Sequence, residues 1–111
     1  MEGYVDLTPD GGVKKKIIEA GTGPAPKNKS VVSVNYIGTL ENGKEFDRSD
    51  EPFEFTLGAG EVIKGWDIGV ASMKQGEKCD LYIKANYGYG SRGAGGVIPG
   101  GATLIFTVKL L

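Results

Sequence analysis

The chain has 111 residues, of which 40% are hydrophobic and 24% charged, with a net charge of -1 and no histidine. These values predict one globular domain over residues 1–111, with residues 1–12 as an N-terminal extension. Without a basic excess a nucleic-acid surface is not expected, and the lack of histidine removes most zinc sites and the usual Ser-His and Cys-His nucleophile pairs.

Alternating apolar and polar residues predict several short strands. The first and weakest covers residues 13–20, and its three consecutive lysines, 14–16, are typical of a solvated sheet edge. A clearer strand covers residues 31–40 and is followed by Asn42-Gly43, a strong signal for a tight hairpin. Further strands are predicted at residues 45–47, 53–57, 79–83 and 104–110.

Residues 61–73 have a different periodicity, because apolar side chains recur there every three or four positions. One helical face holds Ile63, Trp66, Val70 and Met73. Gly65 and Gly69 lie on a neighbouring face, where the missing side chains would let the helix backbone approach a sheet closely. Gly76 is the predicted stop signal of this helix.

Together with a long loop at residues 86–102, these elements predict an α+β fold. Five or six antiparallel strands would form a sheet with one apolar face, and such a face must be covered by another element. The short α-helix is the only element available to cover it. We therefore expect the sheet to curl around this helix.

Two motifs suggest enzyme chemistry but lack the context that it requires. Residues 88–93 fit the phosphate-binding pattern G-x-G-x-x-G, yet the glycine-rich segment after them cannot begin the helix that a nucleotide site needs. Asp47 and Asp67 could form the carboxylate pair of a glycosidase, but no other feature indicates a sugar site. Neither activity is expected, and no metal and no cofactor are predicted.

The aromatic residues are more informative, because they fall on different predicted elements. Core packing is the favoured interpretation for Phe55 and, less strongly, for Phe53. Trp66 differs, since one short helix face cannot bury every large ring and the indole carries a polar N–H that favours a pocket wall. A pocket lined by aromatic side chains and a few polar groups is the usual form of a small-ligand site.

Four stretches of the chain are distinctive as a set: GKEFDRS, LGAGEVIKGWDIGVASMKQGEK, YGYGSRG and IPGGATLIFTVKLL. Together they resemble the FKBP-type immunophilins, the prolyl isomerases that bind tacrolimus and rapamycin. The resemblance extends from about Gly12 to Leu111. It implies an antiparallel sheet curled around a short helix, with a ligand pocket between them.

The resemblance also implies a role for individual residues of that pocket. Six residues would form the catalytic set: Tyr36, Phe46, Asp47, Trp66, Tyr89 and Phe106. Six more would contact the ligand: Phe53, Glu61, Val62, Ile63, Val97 and Ile98. Within these sets, Trp66 is implied as the floor, and the Ile63 N–H and the Tyr89 hydroxyl as hydrogen-bond donors to ligand carbonyls. The Glu61 carbonyl would accept at the rim, and residues 97–98 would lie on a flap over the pocket.

The chain departs from the common small members of that family in three places: Ala94 stands where a larger side chain is common, four glycines (95, 96, 100 and 101) predict a mobile flap, and the loop before Phe53 differs. The loop between Asp47 and Phe53 is shorter, and it lacks an arginine often found there. We therefore expect the Asp47 carboxylate to lack its usual partner.

The predicted function is peptidyl-prolyl cis-trans isomerisation, inhibited by tacrolimus and rapamycin. The main alternative is a non-catalytic module that uses the same pocket to hold a partner protein; an unrelated β-rich ligand carrier would show no proline preference. The expected partners are proline-containing peptides and proteins, and chaperones as well if the chain belongs to a larger immunophilin, whose first domain its start DLTPDGGVKKKI resembles.

The remaining expectations concern location and assembly. The single cysteine, Cys79, cannot form an internal disulfide, which favours a reducing compartment, the cytoplasm and also the nucleus. No secretory signal is expected, because the first residues show no basic region followed by an apolar stretch. No apolar run approaches the roughly 20 residues that span a bilayer, so no membrane association is expected. We expect a monomer.

Overall fold

The computed structural model describes residues 2–111, which form seven β-strands and one α-helix. In chain order they are β1 (Val5–Asp6), β2 (Val13–Glu19), β3 (Val31–Leu40), β4 (Glu45–Arg48), β5 (Phe53–Thr56), α1 (Lys64–Ala71), β6 (Lys78–Ile83) and β7 (Leu104–Leu110). The predicted fold class is confirmed. The strand beyond the expected six is β1, whose two residues are too few to show an alternating pattern.

All strand pairs in the sheet are antiparallel, and the strand order is β1-β2-β6-β7-β3-β4. The longest strand, β3, pairs with β7 along one edge and with both β5 and β4 along the other. The first half of β3 contacts β5 and the second half contacts β4. This arrangement brings three chain segments together at one end of the sheet.

The alternation predicted for β3 appears directly in its burial. Val32 and Val34 lie in the core, whereas Ser33 and Asn35 point to the other face of the sheet. The same face of β6 and β7 completes the apolar surface with Cys79, Leu81, Ile83, Leu104, Phe106, Val108 and Leu110. Trp66 and Val70 of the helix, and Met73 two residues beyond its end, pack against this surface.

The helix α1 (Lys64–Ala71) begins later than the predicted residues 61–73. Gly58 and Gly60 before it have φ angles of 77° and 73°, a left-handed conformation that glycine adopts without steric cost. The Asp67 carboxylate accepts hydrogen bonds from both of their N–H groups, at 2.9 and 3.3 Å. Since the helical side chain of Asp67 stabilises this turn, the preceding residues do not continue the helix.

The helix also ends before Gly76, the predicted stop signal. The N–H groups of Ser72 and Met73 donate to the carbonyls of Gly69 and Val70, a three-residue spacing that tightens the last turn. Gly76 instead occupies the next turn, with a φ of 89°. The apolar spacing of the sequence continues past the end of the helix because Met73 still faces the core, and it therefore predicted a longer helix.

The two helix glycines lie against the sheet, as predicted. A Cβ atom on Gly65 would lie 2.6 Å from the side chain of Ile83, and one on Gly69 would lie 2.6 Å from Leu81. Real Cβ atoms do not approach so closely, so the absence of these side chains sets the distance between α1 and β6.

No helix within residues 2–111 is long and apolar enough to cross a membrane.

The prediction of a solvated lysine edge at residues 14–16 is wrong for Lys15. Only 6% of Lys15 is exposed, because it faces the same side of β2 as the buried Val13. Its ammonium group lies 2.9 Å from a Glu77 carboxylate oxygen and also donates to the Ser72 carbonyl, at 2.9 Å. The run of three lysines does not reveal that one of them has a buried partner, because Glu77 lies 62 residues later in the chain.

Candidate active site

A cavity of about 480 Å³ opens between the apolar sheet face, the beginning of α1 and the loop that follows β6. Its volume is within the range of small-ligand pockets. Nine side chains line it: Tyr36, Asp47, Phe53, Glu61, Val62, Ile63, Trp66, Tyr89 and Phe106. The fold thus brings together nine of the twelve residues that the family resemblance implied.

The indole of Trp66 lies at the centre of an aromatic cluster. Its ring centroid is 4.8 Å from that of Tyr36 and 5.2 Å from that of Phe106, both in edge-to-face geometry. Phe53 and Phe55 lie at 6.0 and 5.8 Å. Such arrangements are favourable because the positive edge of one ring meets the negative face of another. The cluster fixes the orientation of the indole that lines the cavity.

The indole N–H is buried and has no hydrogen-bond partner within residues 2–111. Helix α1 places Trp66 with 4% of its surface exposed, so the N–H has little access to solvent. Aromatic rings surround the indole and can accept only a weak N–H···π contact. The floor of the cavity therefore presents an apolar surface, because the N–H donor of the indole is buried.

Asp47 has a hydrogen-bond partner other than the arginine that the short loop lacks. The Tyr36 hydroxyl donates to a carboxylate oxygen of Asp47 at 2.8 Å. Burial, and then this hydrogen bond, raise the pKa of Tyr36 to about 12. Ser49 holds the short loop in place, because its hydroxyl accepts from the Tyr36 N–H at 2.9 Å and its own N–H donates to the Tyr36 carbonyl at 3.0 Å.

Three further residues that line the cavity carry polar groups. Ile63 precedes α1, and its N–H donates no hydrogen bond to any other group of residues 2–111. The Glu61 side chain accepts from the Thr56 N–H at 2.9 Å, which fixes the rim. Tyr89 is 40% exposed, and burial followed by the charge of Asp47 raises the pKa of its hydroxyl. The cavity therefore offers hydrogen-bond donors and two carboxylates, but no basic side chain lines it.

Comparison with known proteins shows which family the chain belongs to. The profile of the FKBP-type peptidyl-prolyl cis-trans isomerases matches residues 23–111. The chain belongs to this family. It is 55% identical over 103 residues to FK506-binding protein 1 of Dictyostelium discoideum, covering 90% of this chain and 96% of that protein.

A second relative and a solved structure agree with this assignment. Peptidyl-prolyl cis-trans isomerase Fkbp12 of Drosophila melanogaster is 49% identical over 104 residues, covering 90% of this chain and 96% of that protein. The 1.6 Å crystal structure of a peptidyl-prolyl cis-trans isomerase from Pseudomonas syringae pv. tomato superposes with a TM-score of 0.90. It is 36% identical and covers 100% of this chain and 80% of that one. The FKBP chain described here is a peptidyl-prolyl cis-trans isomerase.

Phe46, which the resemblance places in the catalytic set, does not line the cavity of this FKBP chain. Strand β4 contains a bulge there, because Asp47 pairs with Gly38 and Glu45 pairs with Thr39, which leaves Phe46 as an extra residue. A bulge redirects a side chain without ending the strand. The ring of Phe46 packs edge-on against that of Phe106, which lines the cavity, at 5.5 Å.

The two predicted flap residues, Val97 and Ile98, do not line the cavity either. Ile98 is only 6% exposed and belongs to the core, where its backbone exchanges two hydrogen bonds with Ala94, at 2.9 and 3.0 Å. Val97 points away from the core and is 54% exposed. Because adjacent residues in this loop face opposite directions, the sequence could not assign both to one surface.

Gly38 is a site residue that the sequence analysis missed. A Cβ atom at this position would lie 2.7 Å from the ring of Phe46 and 2.8 Å from that of Phe106. The missing side chain lets these two rings meet above β3. A signal was present in the sequence, since glycine inside a predicted strand often marks a bulge or a close approach.

Proposed function

We propose that this isomerase binds an X–Pro segment of a peptide or protein with the proline ring on the Trp66 indole. The Ile63 N–H and the Tyr89 hydroxyl then donate hydrogen bonds to peptide carbonyls on either side of the proline. The observation that supports this proposal is the aromatic cavity with an indole floor and a free N–H at its edge. Phe106 and Tyr36 form the walls, and the Asp47 carboxylate keeps the Tyr36 ring in place.

The chemistry requires neither a nucleophile nor a proton transfer. Rotation about the X–Pro bond is slow because amide resonance imposes a barrier of roughly 18–20 kcal/mol. The planar amide is the more charge-separated form, and water stabilises it. Transfer into a dry aromatic cavity weakens that stabilisation and so favours the twisted amide. A difference of about 4 kcal/mol in favour of the twisted form accelerates rotation roughly a thousandfold.

A proline-isomerisation assay on a Leu-Pro-Phe peptide, with and without rapamycin, tests this proposal. Acceleration that the drug abolishes would support both the reaction and the cavity as its site. Acceleration that persists at saturating drug would place the reaction outside the cavity. Drug binding without acceleration would favour a module that holds a partner through the same pocket.

We expect Tyr89→Phe to lower kcat/KM about fivefold, the effect of one hydrogen bond worth about 1 kcal/mol. The aromatic wall is retained, so only the donated hydrogen bond is lost. Kinetics with the same Leu-Pro-Phe peptide measure this change. Tyr82→Phe is the matched control, because Tyr82 lies on β6 outside the cavity and contacts Tyr4. An equal loss in both variants would contradict the role of the Tyr89 hydroxyl.

We expect kcat/KM to stay constant between about pH 6 and pH 9, since no proton moves in the reaction. The Tyr36 phenol remains protonated in this range because its pKa is raised to about 12. A raised phenol pKa contributes stability that is fully present below its unfolded value near 10, and that is lost as the pH rises through about 12. A bell-shaped profile, measured with a peptide that does not titrate, would show that an acid or a base takes part.

Tacrolimus (FK506) and rapamycin are the proposed inhibitors of this cavity. The support is the family assignment together with the name of the related FK506-binding protein 1. Quenching of the fluorescence of Trp66, the single tryptophan of the chain, measures binding directly. Saturable quenching that a proline peptide reverses is the expected result, and quenching that no peptide reverses would place the drug elsewhere.

A cytoplasmic monomer is the proposed state of the isomerase. Cys79 is buried and unpaired, and burial raises its pKa to about 12, so the thiol is poorly reactive and compatible with a reducing compartment. Light scattering at the concentrations used in the assay measures the mass in solution. A mass of two chains would contradict the monomer, and cell fractionation tests the location.

A further inference from the structure

A cluster of hydrogen bonds joins the N-terminal segment to the loop that carries Tyr89. One Asp10 carboxylate oxygen accepts from the Thr8 hydroxyl at 2.7 Å and from the Gly12 N–H at 2.9 Å. The other oxygen accepts from the hydroxyl of Tyr87 at 3.0 Å, across 77 positions of sequence. We call Thr8, Asp10 and Gly12 the N-terminal clasp. These bonds, with that from Thr8 contributing most, lower the pKa of Asp10 to about 2, so the carboxylate is charged in neutral solution.

The backbone reinforces this contact. The Lys84 N–H donates to the Gly12 carbonyl at 2.8 Å, immediately before the 3-10 turn Ala85–Tyr87. A Cβ atom on Gly12 would lie 2.3 Å from the ring of Tyr87, so the ring lies directly on the glycine backbone. The clasp therefore fixes Tyr87 at both its ring and its hydroxyl.

The turn held by the clasp leads directly to the cavity. The Ala85 carbonyl accepts from the N–H of Gly88 at 3.0 Å and from that of Gly90 at 2.8 Å. These two bonds lie on either side of Tyr89, whose side chain lines the cavity. We expect a change in the orientation of Tyr87 to displace the backbone that sets the position of the Tyr89 hydroxyl.

We propose that Asp10 is a positioning residue for the isomerase reaction, which acts through Tyr87 to hold Tyr89 in the pocket wall. The family profile matches residues 23–111, so the clasp precedes the segment that the profile matches. The inference depends on the proposed role of the Tyr89 hydroxyl. It assigns to the N-terminal segment a contribution to substrate binding, although no atom of that segment lines the cavity.

The test compares Asp10→Asn, Tyr89→Phe and the double variant in a mutant cycle of kcat/KM at a temperature where all are folded. Asp10→Asn is expected to lower kcat/KM roughly two- to fivefold, no more than the loss expected on removing the Tyr89 hydroxyl itself, because it acts through that hydroxyl. Adding it to Tyr89→Phe is expected to cause little further loss, because the hydroxyl to be positioned is already absent. The Gly90 amide is expected to exchange hydrogen faster in Asp10→Asn than in the wild type.

Asp6→Asn is the control, because Asp6 pairs with Lys14 near the clasp but has no contact with Tyr87. It is expected to match the wild type in both rate and exchange. Wild-type kcat/KM in Asp10→Asn, or fully additive losses in the double variant, would overturn the proposal. So would a loss that only follows the unfolded fraction, measured by urea titration. If Tyr89→Phe has wild-type kcat/KM, the proposed role of the hydroxyl fails. A slower Asp10→Asn with faster Gly90 exchange would then show that the clasp positions the Tyr89 ring in the pocket wall, and not its hydroxyl.

Discussion

Replacing Trp66 with leucine is expected to lower kcat/KM about thirtyfold, the kinetic equivalent of an aromatic anchor worth roughly 2 kcal/mol. The indole is the floor of the cavity and contacts four other aromatic rings. Leucine keeps the floor apolar but cannot cover a proline ring with a flat surface. The measurement is the initial rate of isomerisation of a Leu-Pro-Phe peptide.

The loss must be separated from a loss of folded protein, since Trp66 is also a core residue. Phe55→Leu is the matched control: Phe55 contacts the indole at 5.8 Å and is 3% exposed, but it does not line the cavity. Both variants are expected to lose about 1–3 kcal/mol of unfolding free energy. Only Trp66→Leu should lose activity beyond its unfolded fraction, and equal kcat/KM in the two variants would refute this assignment.

The second large effect concerns stability. Glu77→Gln is expected to lower the free energy of unfolding by about 3 kcal/mol or more, because it leaves the Lys15 ammonium buried without its counter-charge. The side chains of Lys15 and Glu77 are 7% and 4% exposed, so water cannot replace the lost partner. The other Glu77 oxygen accepts from the Lys74 N–H at 3.2 Å, which links the pair to the turn before β6. Urea titration followed by tryptophan fluorescence measures the change.

Two comparisons make this expectation specific. Asp6→Asn removes the neighbouring pair with Lys14, which is exposed to solvent, and should cost no more than about 1 kcal/mol. The double variant Lys15→Met/Glu77→Leu removes both charges and should recover most of the stability lost in Glu77→Gln. Equal losses for the buried and the exposed pair would show that the buried charges are not desolvated as the structure indicates.

Much of the fold could be predicted from the sequence, because local periodicity reports directly on burial. The alternation in β3 identified Val32 and Val34 as core residues, and both are buried. The Asn42-Gly43 hairpin also forms, with a φ of 87° at Gly43 that glycine adopts readily. The helical spacing around Trp66 placed the indole against the sheet, and the two helix glycines indicated how closely α1 approaches β6.

For the site, the residues came from the family resemblance, and the structure decided how they are arranged. Nine of the twelve implied residues line one cavity, yet Phe46 is displaced by the bulge in β4 and Ile98 is drawn into the core. The partner of Asp47 is Tyr36, a residue on another strand. No periodicity within a single segment records these facts, because each depends on contacts between segments that are apart in the chain.

The sequence by itself determined which faces of the strands and of the helix are apolar, since that information is local and repeats every two or every three to four residues. Only the tertiary structure decided which charged and aromatic groups meet. Lys15 is buried because Glu77 reaches it, and Tyr87 is fixed because Asp10 accepts its hydroxyl. The physical reason is that a buried or oriented polar group is stable only beside its partner, and here the partners lie 62 and 77 positions away in the chain.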